Sequence, residues 1–574
     1  ADPPDLPVVA AVPRLREHLT GSGPAVVVTA PPGTGKTTLV PPLVADALTP
    51  NADGERRPDR VIVTQPRRVA ARAAARRLAS LLGEPVGQTV GYAVRGDRKQ
   101  SAATRIEVVT AGLALRRLQA DPELTGVAAV VLDEVHERSL ESDLLLALLL
   151  DARAGLREDL AVIAMSATPD LTRLPALLGD GRRPAPIVDV PGVLYPLEEV
   201  WAPPPSGVSR LGPRGVPREF LAHVTATVQR ALAERDGDVL VFLPGAREVD
   251  DVVARLRSAL RDSGPVPGVA ERSGQPAHTA VDVLPLHGRL PGPAQDAALA
   301  PSPDRRRVIV STDVAESSLT VPGVRIVVDA TLAREPRLDV ARGMSGLVTV
   351  GESRSAGTQR AGRAARTGPG AVYRCCTPVD WARAAVAPTP EILSADLTRT
   401  ALELAAWGVP GGAGLAWIDP PPAPALDAAN RTLTHLGLVD DDAVTDLGRA
   451  VAAIPAEVRQ ARALLTAAKS IGLRRAAEAT ALLTCDLRAP QADLTALARS
   501  VRGGTGAGVW RAEALRLEQA ARRHLDPVAQ QPGPGEGPDA ADAVGLVAAL
   551  ARPEWIARRR GPVPAAGTAA SYAT

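Results

Sequence analysis

The chain has 574 residues, 45% apolar and 23% charged, with a formal net charge of +2. That length suggests about three to five domains, each able to bury its own core, and the near-neutral balance excludes a general polycation that would hold nucleic acid by charge alone. The longest apolar runs, such as Leu144–Leu150, fall far short of the roughly 18 residues of a membrane-spanning helix.

Ala1-Asp2-Pro3-Pro4 lacks the basic-then-apolar pattern of a secretory signal, and without an initiating Met it reads as trimmed. Cys375 and Cys376 are adjacent and would point to opposite faces of a strand. Cys485 stands alone, so the cysteines make no disulfide framework or zinc site. A reducing cytoplasm is the expected compartment. Lysine occurs only at 36, 99 and 469, against an arginine-rich background that reads as coding bias.

After an expected opening helix over Val8–Leu19, Ala25–Thr29 reads as a buried strand. It runs into Ala30-Pro31-Pro32-Gly33-Thr34-Gly35-Lys36-Thr37-Thr38 and then a helical stretch. Strand, Gly-rich loop, Gly-Lys-Thr and helix form the context of a phosphate loop. Gly33, Thr34 and Gly35 let backbone N–H groups close on phosphate oxygens, and the helix start at Thr38 adds its dipole. Lys36 offers a compact charge, and Thr37 Oγ a magnesium ligand. Ala30 stands where the first glycine is usual.

A second strand, Arg60–Thr64, leads into Gln65-Pro66-Arg67-Arg68-Val69-Ala70-Ala71-Arg72, with Arg76 and Arg77 further on. This reads either as a solvated basic helix face or as a helix start that grips a nucleic-acid phosphate. Thr104–Gly112 is a strand ending in a small, polar loop that could also approach a nucleic-acid strand. Ala129–Leu132 is the end of another buried strand, and Asp133-Glu134 follow where ligands bind in open α/β sheets. Such a pair can hold magnesium and orient a water. Alone it would be an exposed acidic turn; beside a phosphate loop on another strand end, that alternative falls away. Ala161–Met165 then ends in Ser166-Ala167-Thr168, placed to bond with the carboxylate loop and relay its state.

Gly192–Val200, followed by Pro203-Pro204-Pro205, reads as a linker. A second α/β series starts at Asp238–Pro244 and continues through strands at 283–288, 307–313 and 324–329, without a phosphate loop. It ends in Gln359-Arg360-Ala361-Gly362-Arg363-Ala364-Ala365-Arg366-Thr367-Gly368. Four- and three-residue spacing puts Gln359, Arg363 and Arg366 on one helical face, able to reach a γ-phosphate as arginine fingers or to stand in solvent. Beyond Arg374 the strands stop. Pro390–Trp407 and Leu426–Leu438 read as helices, Ala443–Asp446 as a turn, Leu447–Leu525 as helical by periodicity, and Gln530–Asp539 as a flexible Pro/Gly-rich loop.

In this order, Gly33–Thr38, Thr64–Arg72, Thr110–Leu113, Asp133–Ser139, Ser166–Thr168, Asp238–Gly245, Ser311–Thr320 and Gln359–Gly368 resemble the superfamily 2 DExH-box helicases, specifically the DEAH-box RNA helicases. Asp133-Glu134-Val135-His136-Glu137-Arg138-Ser139 and Ser311–Thr320 carry it most specifically. Ala30–Gly33, Leu447–Ala450 and Ile556–Gly561 are similar to the bacterial HrpB type.

The resemblance implies an α/β fold: two tandem RecA-like parallel-sheet domains at 1–195 and 196–377, a winged-helix domain at 378–445, and a helical, ratchet-like domain at 446–560. HrpB-type chains continue further, so 561–574 is expected to begin a truncated C-terminal region. ATP and Mg2+ are the implied cofactors. Lys36 and Thr37 would hold phosphate and metal, Asp133 and Glu134 the metal shell, and Glu134 the attacking water. His136 and Gln359 would couple the halves, with Ser166 and Thr168 relaying, while Arg363 and Arg366 stabilise the transferred phosphoryl group.

Arg67, Arg68, Thr110, Gly112 and Thr320 match positions that hold a nucleic-acid backbone, and Ala333–Val350 matches a strand-separating hairpin. The implied activity is 3′ to 5′ movement of a monomer on single-stranded RNA. Alternatives are a DNA translocase, a nucleotide-gated clamp without processive unwinding, and an RNA-binding scaffold. Intact Lys36, Glu134, Gln359, Arg363 and Arg366 stand against the last. Two departures are visible: Pro322 replaces an acidic residue that contacts ribose, and Ala365 replaces a common glycine.

Overall fold

A computed structural model describes residues 6–21, 23–48, 60–168, 173–192, 195–213, 215–262, 281–302, 305–316, 321–339, 344–485, 487, 493–504, 506–525, 540–556, 558–560 and 571–573. Thr320, the stretch 530–539 and residues 561–570 lie outside them. The chain divides into two compact units: Ala1–Ala395 with Leu415–Pro420, and Asp396–Gly414 with Pro421–Thr574.

The first unit holds two parallel sheets. In the first sheet, β1 (Ala25–Thr29), β2 (Arg60–Gln65), β3 (Val90–Val94), β4 (Asp97–Lys99), β5 (Ile106–Thr110), β6 (Val127–Leu132), β7 (Ala161–Ser166) and β8 (Ile187–Asp189) lie in the order β4-β3-β5-β2-β6-β7-β1-β8. Only β3–β4 is antiparallel. The central strands are apolar at consecutive positions, with Val26, Val27, Val28, Ile163 and Ala164 fully buried, as a sheet covered by helices on both faces requires. Its helices are α1 (Val12–His18), α2 (Lys36–Ala47), α3 (Arg68–Leu81), α4 (Ala111–Ala120), α5 (Leu140–Gly155) and α6 (Leu174–Leu178).

The apolar run noted above is the buried body of α5, where Leu144 through Leu149 are all buried. Each such leucine contributes roughly 2 kcal/mol by leaving water. Ser139 caps α5 by accepting the Ser142 N–H, and so fixes where the acidic loop ends and the helix begins.

The second sheet runs β11-β12-β10-β13-β16-β9, built from β9 (Leu197–Trp201), β10 (Asp238–Phe242), β11 (Asp282–Leu286), β12 (Arg307–Ser311), β13 (Val324–Asp329) and β16 (Gly370–Arg374). Helices α7 (Arg218–Glu234) and α8 (Ala246–Asp262) belong to it, and β14 (Leu332–Asp339) pairs antiparallel with β15 (Met344–Gly351) beside it. β9 corrects the linker expected at 192–200. It pairs with β16 at the sheet edge, where Glu198 and Glu199 stay exposed. An edge strand tolerates such charges, so it carries none of the apolar signal of a central one.

In the second unit, helices Thr398–Trp407 and Ala423–His435 precede a hairpin of Val439–Asp440 with Ala443–Val444 and the helix Asp446–Ala453. Asp441 and Asp442, both at positive φ, make the two-residue turn that twisted hairpin strands favour. The helix expected from Pro390 begins instead at Thr398, because the Asp396 carboxylate accepts the Thr398 N–H and hydroxyl; a 3-10 turn at Glu391–Leu393 precedes it. Helices Val458–Ile471, Leu473–Thr484, Leu494–Gly503, Ala507–Arg522 and Ala540–Ala551 follow, and the strands Arg558–Arg560 and Ser571–Ala573 pair antiparallel after them. No helix among the described residues is long and apolar enough to cross a membrane.

Candidate nucleotide site and its arginines

Strand order brings the distant motifs together. β7 lies between β1, which feeds the phosphate loop, and β6, which feeds the acidic loop. Ala30 N–H donates to Ser166 O (3.1 Å) on one side of β7, and Ala167 N–H donates to His136 Nδ1 (3.1 Å) on the other. In the stretch expected to relay through Ser166 and Thr168, it is the intervening Ala167 amide that meets the acidic loop. Ser166 Oγ and Thr168 bond to each other.

Within the phosphate loop, Gly33 (φ 91°) and Gly35 (φ 94°) occupy the left-handed region, where a side chain is strained. Ala30 is not among the positive-φ residues, so alanine there imposes no such strain. Lys36 is buried and its Nζ donates to Ala30 O (2.5 Å). Burial lowers its pKa, opposed by the Glu134 and Asp133 carboxylates.

The acidic loop is tightly held. Asp133 Oδ2 accepts Thr37 Oγ1 and Gln65 Nε2, each at 2.6 Å, while Oδ1 accepts the Glu134 N–H at 2.9 Å. Gln65, at the end of β2, went unmarked in the sequence; a glutamine closing an apolar strand was the available signal. Glu134 takes a left-handed conformation (φ 57°), a strain typical of functional loops. His136 accepts at Nδ1, which leaves a neutral ring's proton on Nε2, 3.5 Å from Glu134 Oε2. Both atoms are buried without a hydrogen-bond partner among the described residues. Burial and the neighbouring Glu134 push Asp133 up to about 7. Glu134 is held below the usual range because Lys36, Arg363 and Arg366 outweigh its burial.

Magnesium fits this donor set. Thr37 and Asp133 are hard oxygen ligands already facing each other, and Mg2+ needs only one or two such protein ligands beside phosphate oxygens and water. No cluster of three or more His, Cys, Asp or Glu side chains among the described residues offers a metal cage.

The arginines expected to act as fingers lie differently from the expected single helical face. The helix Arg354–Ala361 ends at Gly362, and successive N–H bonds to the carbonyl three residues back carry Arg363, Ala364 and Ala365 through tight turns. Arg363 is buried and bonds through Nε and Nη2 to Glu316 O. Arg366 lies over the phosphate loop: a Cβ at Gly33 would sit 3.3 Å from Arg366 Nε, itself buried without a hydrogen-bond partner among the described residues. Burial lowers the Arg366 pKa to about 10. Gln359 is half-buried on the helix itself.

Arg360, also unmarked in the sequence, is the buried anchor of this segment. It pairs with Glu316 (2.8 Å), Glu352 (2.8 Å) and Asp329 (3.1 Å), and lies over the Phe242 ring.

The residues assigned to nucleic acid are dispersed. Arg67 forms an ion pair with Asp313 (2.8 Å) of the second sheet's loop and lies 3.5 Å from Glu137. Arg72 donates to Gln295 (2.8 Å) and Arg76 to Asp296 (2.5 Å), both on the helix Gly292–Leu299. Val69 and Ala70 sit in one apolar cluster with Leu240, Phe242, Leu286 and Val314. The face of α3 read as solvated or phosphate-binding is thus docked on the second sheet. Arg68 is exposed, and Thr110 is half-buried at the start of α4. Gly112 packs against Glu141, whose carboxylate would lie 2.5 Å from an added Cβ.

Residues 11–175 match the family model of the DEAD/DEAH box helicases, and residues 222–368 that of the helicase conserved C-terminal domain. The chain is 35% identical over 491 residues to the ATP-dependent RNA helicase HrpB of Escherichia coli, covering 85% of this chain and 56% of that one. It is 33% identical over 442 residues to the pre-mRNA-splicing factor ATP-dependent RNA helicase prp22 of Schizosaccharomyces pombe, covering 76% and 35%. The crystal structure of the Escherichia coli DEAH/RHA helicase HrpB superposes with a TM-score of 0.81 at 35% identity, covering 97% of this chain and 64% of that one. The chain therefore spans little more than half the length of the first of these relatives. On its motifs, its paired parallel sheets and these likenesses, the chain belongs to the DEAD/DEAH box helicase family and is of the HrpB type.

Proposed function

We propose that this chain hydrolyses ATP between its two sheets and uses the cycle to move along single-stranded RNA, unwinding or remodelling RNA structure. The observation that carries the reading is the convergence of Lys36, Thr37, Asp133, Glu134 and Arg366 around one glycine loop. Lys36 and the N–H groups of Gly33–Thr38 hold the phosphates. Thr37 and Asp133 hold Mg2+, which when bound would neutralise charge on the β and γ phosphates.

Glu134, kept ionised by its cationic neighbours, orients the attacking water with its free oxygen. His136, itself fixed by the Ala167 amide, stands beside Glu134 and couples the halves. Arg363 and Arg366 are positioned for the charge that develops on the transferred group. Gln359 joins the two halves once nucleotide is between them.

In this reading 1–195 and 196–377 are the two RecA-like halves, 378–445 the winged helix and 446–560 the ratchet, working as a cytoplasmic monomer. Movement runs 3′ to 5′. Arg68, exposed at the first turn of α3, is the contact of its segment best placed for an RNA phosphate, with Thr110, Gly112 and Thr320 assigned to the same RNA strand by their motifs.

Steady-state ATP turnover, alone and with single-stranded RNA or DNA, tests this beside Glu134→Gln. Stimulation by RNA that the variant abolishes is the expected result. Equal stimulation by DNA replaces RNA with a general single strand as substrate, and turnover no higher than the variant's with any polymer overturns the reading.

A further inference from the structure

The acidic loop is strained at both ends. Glu134 (φ 57°) opens the short 3-10 turn Val135–Glu137, and Arg138 (φ 53°) closes it. Non-glycine residues in this region persist only where their surroundings over-determine them. At the first end, the Asp133 carboxylate holds the Glu134 amide.

At the second end, the restraint comes from far along the sequence. Arg138 pairs with Asp143 (2.8 Å) on α5 and with Asp419 (2.7 Å). Glu391 N–H donates to Arg138 O (3.1 Å), and Glu391 Oε2 accepts the Leu140 N–H (2.8 Å) at the first turn of α5. Asp419 also pairs with Arg173 (3.0 Å), but Arg173 touches no residue of the loop in any described hydrogen bond or ion pair. Glu391 and Asp419 both fall outside the two regions matched by the family models. The six residues Leu415–Pro420 pack with the first unit, while the chain on either side of them belongs to the second.

From this geometry we infer that Asp419, acting through Arg138, is a positioning residue for ATP hydrolysis. Together with Glu391 it locks the far end of the loop in its left-handed turn, and so sets where Glu134 and His136 stand. The inference rests on the hydrolytic reading above. Losing the Asp419 carboxylate leaves the Arg138 guanidinium to Asp143 alone and lets the turn relax, which misplaces the water-orienting carboxylate without touching the phosphate loop.

The test is ATP turnover by the full chain carrying Asp419→Asn, Asp419→Glu or Arg173→Ala, with thermal denaturation of each. Asp419→Asn should lower kcat about tenfold with KM for ATP within about twofold, since small displacements cost rate rather than binding. Asp419→Glu should restore most of the rate, and Arg173→Ala should leave it unchanged. An Asp419→Asn kcat equal to the parent's overturns the positioning role, as does an equal loss in Arg173→Ala or a rate that merely tracks a lowered melting temperature. Parent turnover insensitive to Glu134→Gln would instead overturn the hydrolytic reading, and this inference with it.

Discussion

Two arginine-rich segments, 67–76 on the first sheet and 360–366 on the second, look alike as sequence and are spent differently by the fold. At the start of α3 and along it, Arg67, Arg72 and Arg76 reach Asp313, Gln295 and Asp296, around an apolar contact made by Val69 and Ala70. In the last turn of the helix Arg354–Ala361, Arg360 is buried among three carboxylates, while past the helix Arg363 and Arg366 turn toward Glu134 and the phosphate loop. The first set joins two sheets; the second, in the proposed mechanism, lets one sheet act on what the other holds. An arginine's job is decided by the partner the strand order brings to it, and a run of arginines in sequence does not name that partner.

The sharpest way to break this comparison is at Arg366. Arg366→Ala should slow ATP turnover about a thousandfold, as loss of an arginine finger does, while ATP affinity measured by titration changes only a few fold. A large affinity loss with intact turnover would make Arg366 a ground-state phosphate contact.

Next comes Arg360. Arg360→Met leaves Glu316, Glu352 and Asp329 without their shared cation, and breaking such a buried pair costs about 3–5 kcal/mol. Denaturant melts should show that loss. Because Glu316 also holds Arg363 through its carbonyl, the residual turnover of folded protein should fall as well.

The smallest effect belongs to α3. A double-mutant cycle on Arg67→Ala and Asp313→Asn should give a coupling of roughly 1 kcal/mol in the partly exposed Arg67–Asp313 pair. Additive single effects would show that the pair does not join the sheets.

Much of the candidate site was legible because each piece is local. The phosphate loop declares itself in nine consecutive residues, and Asp133-Glu134 in a strand end. Gln65 and Arg360 were not legible, since their roles depend on which strand lies beside β6 and on which carboxylates meet under the second sheet. The misread helix over 359–366 has a local cause at Gly362, which ends the helix and which spacing alone does not weigh. β9 was missed because its glutamates sit on an edge. Thr64–Arg72 was placed correctly on a strand end and a helix start, yet a docking face and a phosphate-binding face share the same composition.

In the proposed mechanism Arg67, Arg72 and Arg76 dock the two sheets, while Arg363 and Arg366 act on the nucleotide. Single-turnover ATP hydrolysis without nucleic acid, run on Arg67→Ala beside Arg366→Ala, tests it most directly. Arg67→Ala should stay within about tenfold of the parent, because only closure is weakened, while Arg366→Ala should fall by orders of magnitude. Equal losses in the two variants would contradict it.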